Sequence, residues 1–242
     1  MHVNINEKFL SGEEFNDAFW FDFKDKTYDN RIDLIKNILK EKKNCKCIHL
    51  GATDHLNLID KKIKENKWLH KIISENTEKT VGIDINQKAV DYCHSIGWNN
   101  IICADIFKDN QVIMESLGGG VERYDYIIAG EMLEHIDNPV QFLKEINNNY
   151  REIADKIIIT VPNAFSIFNF LTALSGKEAI NTDHRYFFTP YTLCKITYIA
   201  GMMPEEIMFA EKWGGRRAML LRKLFKKSIC GDRLVMIARL GR

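Results

Sequence analysis

The chain has 242 residues, 45% of them hydrophobic and 28% charged, with a formal net charge of +1. These are the proportions of an ordinary folded domain and exclude a mostly disordered chain, which needs fewer apolar residues and a larger net charge. The near-zero balance also gives no whole-molecule attraction to nucleic acid or another acidic polymer, so none is expected as a partner.

The opening stretch MHVNINEKFL has no basic flank followed by an apolar run, and no apolar run approaches the ~20 residues of a membrane helix. A cytoplasmic protein with no integral membrane segment is therefore expected. The six cysteines, Cys45, Cys47, Cys93, Cys103, Cys194 and Cys230, sit mostly in apolar surroundings and read as reduced, buried thiols.

Along the chain, Phe19, Trp20, Phe21, Phe23 and Tyr28 make an aromatic start. Ile32, Ile35, Ile38 and Leu39 recur at helical spacing within Asp29–Lys42. Residues 1–44 thus read as a helical lid or cap. Short β-rich runs follow at Cys45–Leu50, Lys79–Asp84, Asn100–Ala104, Tyr124–Ala129 and Lys156–Val161. They are nearly continuous in apolar character, as in strands covered on both faces, and longer amphipathic segments alternate with them. Asp137-Asn138-Pro139 and Thr189-Pro190 each set a capping side chain before a first-turn proline. Phe165–Leu174 is an apolar helical run inside a 164–190 insertion, and Glu206–Trp213 with Arg233–Leu240 reads as a terminal antiparallel pair. Residues 1–242 are expected to form one α/β domain.

Ligands of open α/β sheets sit beyond the carboxyl ends of the strands. Four successive strand ends here carry glycine or carboxylate: Gly51-Ala52-Thr53-Asp54, Asp84-Ile85, Asp105-Ile106 and Gly130-Glu131-Met132-Leu133-Glu134-His135. Gly51 allows a tight turn and close approach to a ligand. Asp84 suits two adjacent ribose hydroxyls, or a helix cap. Asp105 suits an exocyclic amine, with Ile85 and Ile106 sandwiching the ring; a capping role is its alternative. Glu131 and His135 share a face if a helix starts there, and a buried polar pair is the other reading. Cys45, Cys47 and His49 share a strand face, but no fourth ligand has suitable local spacing. No metal is assigned.

This set resembles the class I S-adenosylmethionine (SAM)-dependent methyltransferases, in particular the branch similar to ubiquinone-biosynthesis O-methyltransferases. The resemblance rests on Gly51, VGIDIN (81–86), ICADIF (102–107), YDYIIAGEMLEHIDNP (124–139), ITVPNAF (159–165) and DHRYFFTPYTL (183–193), and covers about residues 45–201. It implies a Rossmann-like fold: a seven-stranded, mostly parallel sheet with an antiparallel last strand and helices on both faces. It also implies SAM as cofactor, S-adenosyl-L-homocysteine (SAH) as product, and methyl transfer to oxygen or nitrogen of a small polar metabolite such as a sugar, nucleotide-sugar or phosphorylated compound. Gly51, Thr53, Asp54, Asp84, Ile85, Asp105, Ile106, Glu131 and His135 would then bind the cofactor. His184 and Glu131 would be catalytic, His184 as the base; its alternative is to tie its loop down. Asn163, Arg185, Tyr186 and Tyr191 would bind the substrate.

The chain departs from that family at its first turn, which has one glycine where G-x-G-x-G is usual. Gly51 and Asp84 are 33 positions apart, against ~20 between a glycine turn and its ribose acid. A longer connection is expected, with Asp54 replacing backbone contacts to the amino-acid end. The single glycine keeps open a catalytically silent methyltransferase-like partner. A nicotinamide-dependent oxidoreductase is disfavoured because there is no G-x-G-x-x-G cradle for a pyrophosphate. Residues 212–242 hold ten Lys/Arg and one Asp, among them Arg216, Arg217, Arg222 and Lys223. They read as a solvated helix face, with a weak anionic-surface contact, to lipid or nucleic acid, or a receiver for a phosphorylated substrate as the alternatives.

Overall fold

The computed structural model describes residues 3, 5–20, 27–211 and 228–241. The expected basic tail around Arg216, Arg217, Arg222 and Lys223, and the aromatic Phe21 and Phe23, lie outside them.

Alternation of short β-branched runs with amphipathic segments produces alternating strands and helices. In chain order they are α1 (Glu7–Ser11), β1 (Thr27–Tyr28), α2 (Arg31–Lys40), β2 (Lys46–Leu50), α3 (Ile59–Lys64) and α4 (Leu69–Glu75). Next come β3 (Lys79–Asp84), α5 (Gln87–Ser95), β4 (Ile101–Cys103), α6 (Asn110–Ser116) and β5 (Tyr124–Gly130). The chain continues through α7 (Pro139–Tyr150), β6 (Ala154–Pro162), α8 (Ile167–Leu174), α9 (Pro190–Ile199), β7 (Met203–Ala210) and β8 (Arg233–Arg239). The strand order is β1-β7-β8-β6-β5-β2-β3-β4. It is a Rossmann-like sheet, mostly parallel, with β7 and β8 antiparallel as expected. The strand beyond the seven anticipated is β1, two residues paired parallel to Phe209 and Ala210 of β7; so short a run leaves no periodicity to read.

Two compact units divide the chain: Met1–Arg31 with Glu131–Leu143 and Ile159–Arg242, and Ile32–Gly130 with Lys144–Ile158. In the second unit, β2 pairs in parallel with β3 on one side and β5 on the other. The connections that follow β2 and β5 run in opposite directions, to β3 and to β6, the arrangement that opens a crevice at the strands' carboxyl ends. The long link foreseen between Gly51 and Asp84 is built by α3 and α4. Trp68 anchors it, buried with Ile59, Ala89, Val90 and Cys93 while its indole N–H donates to the Ala52 carbonyl at 3.2 Å.

In the first unit, Thr189 caps α9 reciprocally: its hydroxyl accepts from Thr192 N–H at 3.1 Å, and the Thr192 hydroxyl accepts from Thr189 N–H at 2.9 Å. The Ser166 hydroxyl likewise accepts from Phe168 N–H at 3.1 Å and starts α8.

Candidate functional site

The rim of the second unit follows from the glycine turn. Gly51 takes φ 65°, and the N–H groups of Gly51 and Ala52 both reach the Ile83 carbonyl, at 2.9 and 3.2 Å. This swings Thr53 over Asp84, where the Thr53 N–H and hydroxyl donate to Asp84 Oδ2 at 2.9 and 2.7 Å. Asp84 Oδ1 accepts from Asn86 N–H at 2.9 Å. A carboxylate oxygen has about two acceptor sites, so Oδ2 is filled and Oδ1 keeps one. Of the two carboxylate oxygens expected to face ribose hydroxyls, Oδ2 is engaged by Thr53 and Oδ1 keeps acceptor capacity.

Ile85 is 70% exposed beside Asp84, an unusual place for an apolar side chain unless something covers it. Ile106, expected on the other side of a flat ring, is buried, so it belongs to the core rather than to a ligand. Phe107, half exposed, stands next to it instead; sequence reasoning passed over it because only its neighbours carried a pattern. Asp105 caps its own turn, accepting from Phe107 N–H at 2.9 Å and pairing with Lys108 at 3.1 Å. Chiefly the Phe107 N–H, and then Lys108, hold its carboxyl below the usual range. Asp54 pairs with Lys62 of α3 and so is engaged by its own chain.

In the first unit, the helix imagined at Glu131 does not form. Glu131 takes φ 52°, and a single 3₁₀ turn covers Leu133–His135. The Glu131 carboxylate meets Arg233 at 2.6 Å and Arg31 at 3.6 Å, and its Oε1 accepts from the Thr160 hydroxyl at 3.3 Å. Two guanidinium groups thus hold it in place. The turn carries Glu134 inward, 1% exposed, with both carboxylate oxygens unpartnered among the described residues. Burial, and then the neighbouring Glu131 charge, push its pKa up to about 8.

His184 closes this arrangement. Its Nδ1 is buried without a partner, and its ring stands edge to face with His135, centroids 4.7 Å apart. Burial first, and His135 second, lower its pKa and favour the neutral imidazole. His135 Nδ1 lies 3.2 Å from the Asp183 carbonyl. A carbonyl only accepts, so Nδ1 carries the proton and the Nε2 lone pair is left for a ligand. One donor atom each from Glu134, His135 and His184 all lie within 4.8 Å of one another.

A buried carboxylate with no donor and two imidazoles converging on it form a nitrogen–oxygen donor set that fits a divalent cation. The sequence assigned no metal; three donors from two distant segments meet here. Glu134 was missed because a glutamate three residues from Glu131 looks like any polar turn residue; its adjacency to His135 was the available signal.

Backbone-directed bonds hold the two segments together. Arg185 N–H donates to the Glu134 carbonyl at 2.7 Å, Arg185 Nη1 to the His135 carbonyl at 2.6 Å, and the Tyr186 hydroxyl to the Asp137 carbonyl at 2.8 Å. An open polar cavity of about 510 Å³ is lined by His135, Thr182, Asp183 and Arg185. Arg185 is therefore placed at a mouth, as expected, with Tyr186 bracing the same segment.

Two expected substrate contacts are corrected. Asn163 is fully buried, its amide donating to the carbonyls of Ile229 and Gly231 at 2.7 and 2.6 Å and its oxygen accepting from Phe165 N–H at 3.0 Å. The Tyr191 hydroxyl donates to the Phe9 carbonyl at 3.2 Å, and its ring lies against Phe19. Both hold the fold.

Residues 66–152 match the family model described as a methyltransferase domain. Among solved structures, the chain is similar to the small RNA methyltransferase HEN1, at 14% identity and TM-score 0.55, over 88% of this chain and 25% of that one. It is similar to the plantazolicin methyltransferase BpumL in complex with a triazolic desmethylPZN analog and SAH, at 15% identity and TM-score 0.53, over 88% and 84% of the two chains. It is also similar to the magnesium protoporphyrin IX methyltransferase ChlM from Synechocystis PCC 6803 with bound SAH, at 14% and 0.51, over 86% and 81%. The chain thus spans about a quarter of the HEN1 chain. A sequence comparison with curated proteins gave no match. No helix among the described residues is long and apolar enough to cross a membrane.

Proposed function

We propose, from the match of residues 66–152 to the methyltransferase-domain model and the fold shared with SAH-bound methyltransferases, that this chain transfers the methyl group of SAM to a hydroxyl oxygen of a small polar acceptor. The observation that carries the reading is the buried, unpartnered Glu134 carboxylate gathered with His135 and His184.

On the second unit, Asp84 Oδ1 would accept a ribose hydroxyl, Ile85 and Phe107 would cover the adenine, and Asp105 would meet its amine. The glycine turn at 51–53 leaves the nucleoside end served. Asp54, tied to Lys62, has its charge matched already.

The sulfonium methyl is already electrophilic, so the protein's task is to hold an oxygen in line and free its lone pair. Positioning is worth up to ~7–11 kcal/mol in favourable intramolecular cases. A divalent cation held by Glu134, His135 and His184 would act as a Lewis acid on the acceptor hydroxyl. Glu131 works through Glu134: fixed by Arg31 and Arg233, it adds negative charge beside the buried carboxyl and so favours a cation there. Asp183 sets the His135 tautomer. Arg185 faces the polar cavity and suits an acceptor's anionic or hydroxylated end.

The test is methyl transfer from labelled SAM to sugars, sugar phosphates and short RNA, with manganese or magnesium and with chelator. His184→Ala is expected to lower turnover at least a hundredfold while cofactor affinity stays within twofold. Wild-type turnover in that variant removes the assignment. Full activity in chelator returns His184 to the role of general base, and transfer to RNA alone replaces the small acceptor.

A further inference from the structure

Helix α8 leaves apolar rings in water. Phe165, just ahead of it, and Phe168 and Phe170 within it are each about half exposed. Beneath the helix runs a groove of about 590 Å³, whose walls include Phe165, Ile167, Phe170, Ala173, Phe187 and Cys230. That volume lies within the roughly 300–1,000 Å³ of small-molecule sites, and a mainly apolar lining with few polar groups is their usual chemistry.

The groove is joined to the histidine cluster. Phe187 is one of its walls, and the same ring stands edge-on to His184 with centroids 6.4 Å apart. Its base is fixed relative to that ring by backbone. Ala164 N–H donates to the Phe188 carbonyl at 2.9 Å, Asn163 and Phe188 form a parallel bridge, and the Asn169 amide ties α8 to the Asn163 carbonyl at 3.1 Å. On the other side of the imidazole pair, His135 lines the polar cavity with Arg185. The candidate acceptor site therefore has an oily flank and a wet one.

We propose that this groove receives the apolar body of the methyl acceptor, an aryl or short alkyl group on the same molecule whose hydroxyl reaches the Glu134–His135–His184 cluster. This rests on the acceptor site proposed above. A bare sugar fills the wet side and leaves the rings hydrated; a molecule with both parts satisfies both sides, the apolar contact removing Phe165 and Phe170 from water. The chemical class is thus an amphipathic alcohol or phenol.

Two measurements decide it. Binding of 2-naphthol, followed by its fluorescence, is expected to be saturable and at least tenfold weaker in Ala173→Trp, whose indole fills the groove; an unchanged melting temperature shows that the variant folds. With cofactor and cation present, phenyl β-glucoside is expected to be methylated with at least tenfold higher kcat/KM than glucose, an advantage that Ala173→Trp erases. Equal kcat/KM for the two, or naphthol binding undiminished by the variant, overturns the groove and leaves the acceptor site standing. Self-association abolished by Ala173→Trp, without naphthol binding, overturns it in favour of a second copy of the chain. Absence of transfer to every acceptor, with His184→Ala indistinguishable from wild type, is instead a failure of the acceptor site, and the groove's role falls with it even if naphthol binds.

Discussion

Asp84 accepts three hydrogen bonds from its own chain and keeps one acceptor site in reserve. Asp84→Asn is therefore expected to fold normally and to bind SAM ten- to a hundredfold more weakly, the span given by about 1.5–3 kcal/mol for a hydrogen bond to a charged group. Calorimetric titration measures it, and unchanged affinity removes Asp84 from the nucleoside site. Single residues were legible to different degrees. Asp84, His135 and His184 stood out because charged and imidazole groups at strand ends and in a polar loop have few packing reasons to be there. Glu134 and Phe107 did not, since the burial of one and the exposure of the other are set by tertiary contacts that leave no local pattern. Asn163 misled for the converse reason: a polar residue leaving a strand reads as available, yet its amide is spent on carbonyls more than sixty residues away.

The start of α9 rests on the reciprocal Thr189–Thr192 cap. Thr189→Ala is expected to cost about 1 kcal/mol, which in a chain of this size lowers the melting temperature by roughly 2–4 °C. Thermal unfolding followed by circular dichroism checks it, and an unchanged midpoint shows the cap to be dispensable. Strands β2 to β6 could be placed from composition because buried parallel strands are continuous apolar runs, and α9 because a threonine stood before a proline. Helices α3 and α4 were legible only as surplus length between Gly51 and Asp84. Their amphipathic faces are short, and the anchor, Trp68, acts through a single distant carbonyl.

The stability of the second unit includes a buried histidine pair. The Asn100 amide donates to the Thr80 carbonyl at 3.2 Å, which orients its oxygen towards His70 Nε2, 3.2 Å away. His70 Nε2 then carries the proton, and His70 Nδ1 must accept from His49 Nδ1, at 3.2 Å. Burial, outweighing the Asn100 bond, lowers the His70 pKa to about 4. Between pH ~6.5 and ~4 the unfolded chain takes up a proton that the folded one refuses. Stability is thus complete above that window and falls by about 3 kcal/mol across it, at 1.36 kcal/mol per pKa unit. Urea unfolding at pH 7 and 4.5 should show a smaller loss in His70→Gln than in wild type, and equal losses would remove His70 as the cause.

At the other unit's cluster, four of the bonds that join residues 134–137 to 183–186 end on carbonyl oxygens, which every amino acid possesses, and a fifth pairs Arg185 with the Asp137 carboxylate. The side chain at Asp183 can be exchanged over generations without loosening the stitch, provided Glu134, His135, Asp137, Arg185 and Tyr186 persist. Groove walls and rim residues around it are then free to drift, so a lineage built on this chain can change what it binds while the spacing of the clustered Glu134, His135 and His184 is inherited intact.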